Sequence, residues 1–175
     1  AFAAMNRANL RTVDGIHCAT ALGCLEDTAA FLDEITAQDG RLLAPLPFMR
    51  STHNTMAGQI ALALHCTGPN MTFSQGTGGF HAALLSAWLQ VEEDPGRNVL
   101  VFAADEHIDI LDAITGSLSP ALTLQQGALV EAFVMGGAKR SGSIACIEEV
   151  MIMASDAGNE WSAWFGREGK DHPPV

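Results

Sequence analysis

The stretch that most constrains the fold is NVLVFAADE, residues 98–106, which follows the turn residues DPGR. Its apolar residues stand at consecutive positions rather than alternate ones. A strand with one wet face alternates, whereas a continuous apolar strand is covered on both faces, as in the middle of a mostly parallel sheet. Helices are therefore needed on both sides of it. DGIHCATAL (14–22) reads as a second buried strand, leading through Gly23 into the helix LEDTAAFLDEITAQ. The early acids of that segment suit a helix N-terminus, and Leu25, Ala29, Phe31, Leu32 and Ile35 make its apolar face.

The proline-interrupted DGRLLAPLPFMRSTHN reads as a loop, and TMAGQIALALHC as a helix ended by the turn TGPN. A short strand MTFSQ and the helix FHAALLSAWLQV follow. Beyond residues 98–106, ALVEAFVMG (128–136) and SIACIEEVMIM (143–153) are two further strands separated by the basic loop GAKRSG. These two either continue the sheet or pair as an antiparallel hairpin. The expectation is an α/β fold, a mostly parallel sheet of about five strands with helices on both faces. The tail from about residue 158 takes no assignment.

Composition excludes several functions. In 175 residues, 48% of them hydrophobic, there is material for one core. The apolar runs are much shorter than the roughly 20 residues of a bilayer crossing, and no basic segment with an apolar signal core opens the chain. A soluble, cytoplasmic protein is expected. Nine Lys and Arg against twenty Asp and Glu give a formal charge of -11, which repels nucleic acid and anionic membranes. The only basic knot is AKR at 138–140. Cys18, Cys24, Cys66 and Cys146 lack the spacing of a zinc site and read as buried, reduced thiols, so neither a metal nor a cofactor is expected.

The chemistry-bearing candidate is SQGTGGFHAALLSAWL, residues 74–89, a strand end, a glycine turn and a helix start. A nucleophile placed at such a corner is lifted clear of the sheet beside the positive end of a helix. Here the corner carries Gly76. GTGG lacks the lysine of a phosphate-binding loop, and Ser74 lacks the first glycine of a hydrolase elbow, because Thr72 stands in its place. ADEH (104–107), at the end of the best strand, has the residue types of a metal or acid/base cluster.

The order of these motifs is informative. ATALGCLEDT, then PFMRSTHNTMAGQIALALHCTGPN, a short strand, the glycine corner with a helical His, NVLVFAADE and GALVEAFVMGGAKRSGSIACIEEV resembles the N-terminal half of the β-ketoacyl-acyl carrier protein synthases. It is similar above all to short ketosynthase-like N-terminal-domain proteins and to chain-length-factor subunits of polyketide and aryl-polyene systems. The resemblance covers roughly residues 13–157, with a first family strand missing ahead of it, and its most specific piece is the Asn54, AGQIA and GPN succession. It implies a thiolase-like half fold and a single ketosynthase-like domain over 1–175.

In that family a cysteine at the corner attacks the acyl thioester. The resemblance puts Gly76 at its place, with one residue fewer between GPN and the corner, or Thr77 if that gap is not allowed. Glycine has no nucleophile, and a threonine hydroxyl without a base is a poor one. The two family histidines of the second half are absent, and of His17, His53, His65, His81, His107 and His172 only His81 falls on a family position, outside the catalytic pair. The resemblance further implies that an acid like those of ADEH is structural, that TGPNMTFSQ lies at a subunit boundary, and that Phe48 and Met49 either plug a partner's acyl tunnel or anchor their loop to this protein's own core. Asn54, Gly76, Thr77, Phe80 and His81 complete the implied pocket or interface, with no catalytic residue.

Two functions follow. One is a non-catalytic, chain-length-factor-like subunit paired with an active ketosynthase, or with a second copy of itself, and reaching acyl carrier protein through that partner. The other is an active acyltransferase or hydrolase working from Thr77, Ser74 or Cys66.

Overall fold

A computed structural model describes residues 1–37, 43–109, 111–113, 129–138, 147, 149–154 and 161–166. Four strands form the main sheet in the order β2-β1-β3-β4: β1 is Gly15–Ala19, β2 Asn70–Phe73, β3 Asn98–Asp105 and β4 Leu129–Gly136. β1 runs parallel to both β2 and β3, with His17 opposite Met71 on one side and Val101 on the other. The stretch expected to be central is central: Val99, Leu100, Val101 and Phe102 in β3 and all of β1 are buried. Continuous apolar strands result because both faces are covered.

The covering helices fall on opposite faces. On one side, α1 (Phe2–Arg7) and α4 (Thr55–Leu64) bring Met5, Ala57 and Leu64 against Ile16, Cys18, Leu100 and Phe102. On the other, α5 (Gly79–Glu93) packs Ala83, Ala87 and Val91 on Ala19, Val99 and Val101. Small alanines on α5 let the helix approach the β-branched residues of the sheet closely. One polar group spans this second face. His17 is 2% exposed, and its Nε2 lies 3.0 Å from Gln90 Oε1 while Gln90 Nε2 donates to the Asp14 carbonyl at 3.4 Å.

Three details differ from the sequence expectation. β4 is antiparallel to β3, not to the strand that follows it. An antiparallel neighbour needs no crossover helix, since the chain returns from the end where β3 leaves. The fifth expected strand is present as β5 (Glu149–Ala154), but it pairs antiparallel with β6 (Trp161–Gly166), in the tail that took no assignment. The expected proline-rich loop contains α3, Pro45–Arg50, with proline in its first turn. Proline there removes only an N–H that has no helical partner anyway, so the supposed breakers start the helix. Part of the segment expected as the last strand, 143–146 and 148, the basic pair 139–140 and His172 lie outside the described residues.

α2 (Leu25–Ala37) and α3 stand apart from these layers. They pack on each other, Phe31 meeting Phe48 with ring centroids 5.4 Å apart, and neither helix has a fully buried residue.

Candidate functional site

β1 and β2 are parallel, so their C-terminal ends and the turns that leave them share one edge of the sheet, the usual address of sites in open α/β folds. β2 ends at Phe73, and the chain turns through Ser74 and Gln75 into a 3-10 turn, Gly76–Gly78, that feeds α5. Gly76 has φ +54° and is exposed, and a Cβ built on it would meet nothing within 4 Å. The left-handed backbone is the reason glycine suits the position, and the open space around it is room for a reacting group. Gly76 thus stands exposed in a left-handed turn at the strand-to-helix corner and carries no side chain. Thr77 lies within the same 3-10 turn.

The other candidate nucleophiles sit in different surroundings. The Ser74 hydroxyl donates to the Ala21 carbonyl at 3.5 Å. Burial, with the Asp105 carboxylate and Cys24 adding to it, pushes the Cys18 thiol up to about 12, and burial first, then Glu106 and Asp27, also raises Cys24. Neither forms a thiolate near neutral pH. Cys66, just beyond α4, is half-buried, and Cys146 lies outside the described residues.

The histidines among the described residues do not converge. His17 is in β1. Its pKa is lowered by burial, against hydrogen bonds to Gln90 and the Ala83 carbonyl that raise it. The ring of His53 sits over Gly23, where φ is +71° and a Cβ would come within 3.2 Å of His53 Cδ2. His65 ends α4 in a left-handed conformation, and His107 Nε2 is 3.2 Å from Asp112 Oδ2. His81, near the start of α5, is half-buried with a buried Nδ1 that has no hydrogen-bond partner. Among the described residues no three His, Cys, Asp or Glu side chains are grouped to hold a metal.

The acids of ADEH have structural partners. Asp105 Oδ1 accepts hydrogen bonds from the Thr20 hydroxyl at 2.7 Å and from the amides of Ala21 and Leu22, each at 2.9 Å. Glu106 accepts from the Glu26 amide at 3.1 Å. The two carboxylates fasten the β1–α2 turn across the crevice between β1 and β3, so the point where the strand order reverses is filled by the protein's own anion.

The expected pocket residues divide into two groups. Phe80 packs edge-on against Phe133 of β4, with ring centroids 6.1 Å apart, and belongs to the core beneath α5. Phe48 and Met49 are 57% and 64% exposed on α3, so their side chains are not seated in this chain's own sheet core. Leu32 and Leu46, 55% and 51% exposed, extend the same helix pair. Asn54 is joined to β2 by a hydrogen bond from Thr72 Oγ1 to Asn54 Oδ1 at 2.7 Å. A groove of about 420 Å3 opens elsewhere, between the start of β2 and the C-terminal half of α5, lined by Met71, Ser86, Leu89, Gln90 and others. It contains none of the corner residues.

Sequence reading missed the Thr72–Asn54 bond and the helix that presents Phe48. A hydroxyl in a strand and an amide before a helix carry no pairwise signal at 18 residues' separation.

Comparison with known proteins agrees with this geometry. The family model described as "Beta-ketoacyl synthase, N-terminal domain" matches residues 13–113. The solved ketosynthase ApeO in complex with its chain length factor ApeC, from Xenorhabdus doucetiae, is similar with a TM-score of 0.62 at 20% identity, over 83% of this chain and 55% of that one. The ishigamide ketosynthase/chain length factor is similar with a TM-score of 0.66 at 20% identity, over 83% of this chain and 43% of that one. The chain thus spans about half the length of the solved chains it matches. No curated protein sequence matches it. With more than half of its length, the sheet from β1 to β3 and the corner included, inside the matched region, the chain belongs to the β-ketoacyl synthase N-terminal domain family.

Proposed function

We propose that this protein is a non-catalytic, chain-length-factor-like subunit that pairs with an active ketosynthase in acyl chain elongation and shapes the acyl pocket of that partner. The observation that carries the reading is Gly76, an exposed, uncrowded glycine in a left-handed turn at the strand-to-helix corner. The similarity to structures containing a ketosynthase and a chain length factor supports it. So does the apolar surface left on α3. Residues 1–175 act as one ketosynthase-like domain, and the strongly acidic chain meets acidic carrier protein only through its partner, since like charges repel. Phe48 and Met49 close the partner's tunnel, Phe as a stiff plug and Met as an adaptable one.

Two measurements test this. Incubated alone with acyl carrier protein or acyl-coenzyme A thioesters, the protein gains no acyl mass; an adduct on Thr77, Ser74 or Cys66 would establish the acyltransferase reading instead. In the complex reconstituted with its ketosynthase, Phe48→Ala and Met49→Ala lengthen the products by one or more two-carbon units. Unchanged product lengths in a well-folded complex would remove both residues from the site.

A further inference from the structure

β2 is the outermost strand of the sheet, and its outward side has no neighbour among the described residues. The carbonyls of Pro69 and Phe73 accept hydrogen bonds from the amides of Ile16 and Thr20, so residues 69, 71 and 73 turn their backbone groups toward β1. Along a strand these directions alternate, which turns the N–H and C=O of Asn70 and Thr72 outward. A strand added at this edge would pair with Thr72 directly. The side chain of the same residue points elsewhere, to Asn54 at 2.7 Å.

Asn54 closes the turn between α3 and α4, and that turn grips the backbone of Phe48 and Met49. The Ser51 hydroxyl donates to the Phe48 carbonyl at 2.8 Å, and the hydroxyls of Thr55 and Thr52 donate to the Met49 carbonyl at 2.9 and 3.3 Å. On its other sides the turn meets Thr28 of α2, whose hydroxyl is 3.4 Å from the Ser51 carbonyl, and Gly23 beneath His53. Thr72 is the contact that comes from the open edge.

We infer that Thr72 is a specificity-determining positioning residue: through Asn54 it sets where Phe48 and Met49 stand. The inference deepens the gating role proposed above and rests on it. The hydroxyl is the working part, because valine has nearly the same shape and β-strand preference but cannot donate.

Thr72→Val, Thr72→Ser and Asn54→Ala are compared with Phe48→Ala, each reconstituted with the ketosynthase. Amide hydrogen exchange of the free chain is measured alongside. Thr72→Val and Asn54→Ala speed exchange over residues 51–58 several-fold, leave β1 and β3 protected, and shift or broaden the product lengths, while Thr72→Ser restores both. The inference is overturned by unchanged exchange in Thr72→Val, by a serine variant that behaves like the valine one, or by unchanged products in Thr72→Val where Phe48→Ala lengthens them. If Phe48→Ala also leaves the products unchanged, the gating role itself falls, so the two failures are told apart.

Discussion

The β1–β3 centre of the sheet and the α2–α3 pair are both rich in apolar residues, yet they use them oppositely. In the centre, Ile16, Cys18, Leu100 and Phe102 are at most 2% exposed, with α1 and α4 on one face and α5 on the other. In the pair, Leu32, Leu46, Phe48 and Met49 are all more than half exposed. Burial of apolar area contributes about 25 cal/mol per Å2 only where water is removed, so the centre holds the fold and the pair adds little to it. These exposed side chains are the ones that the proposed pairing with a ketosynthase would cover.

The sharpest way to break this comparison is Phe102→Ala. Emptying a fully packed site costs about 3 to 5 kcal/mol, a large part of a domain's net stability, and the melting temperature should collapse or the chain fail to fold. Loss of only a few tenths of that by chemical denaturation would mean that the sheet is not the stabilising half.

A smaller effect tests the polar part of the same centre. The buried His17 has its pKa lowered, so the unfolded chain binds more protons than the folded one in the interval between the lowered value and that of a free imidazole. Stability therefore rises with pH through that interval and is lost as pH falls through it. Denaturation midpoints measured from neutral to mildly acidic pH should show this limb, and His17→Gln should flatten it. An unchanged limb in the variant would place the acid sensitivity elsewhere.

The smallest effect is the most informative for function. Phe48→Ala and Met49→Ala should move the midpoint of the isolated chain by no more than about 0.5 to 1 kcal/mol, since side chains mostly in water have little burial to lose. Set beside the product lengths of the complex, a small stability change with longer products separates a gate from a core anchor. A loss as large as that of Phe102→Ala would make α3 part of this chain's own core.

Much of this architecture was legible in residues alone. Continuous apolar runs identified β1 and β3, and helical periodicity identified α2, α4 and α5, because burial on both faces or on one stripe leaves its period in the sequence. The family resemblance was legible too, since its motifs stand in the family's order along residues 13–113. α3 was not. Pro45 and Pro47 are compatible with a loop or with a first helical turn, and only the packing of Phe48 on Phe31 selects the helix.

The sequence by itself determined that β1 and β3 are buried strands, that α2, α4 and α5 are helices, that both faces of the sheet are covered, that the formal charge is -11, and that glycine stands at position 76. These follow from periodicity, net charge and residue identity, which are properties of the chain read one stretch at a time. Tertiary structure decided that β4 runs antiparallel, that β2 is the outermost strand among the described residues, that Phe48 and Met49 face outward, and that Thr72 reaches Asn54. Each of these depends on which distant segments meet, and a direction or a partner in space leaves no local period to read.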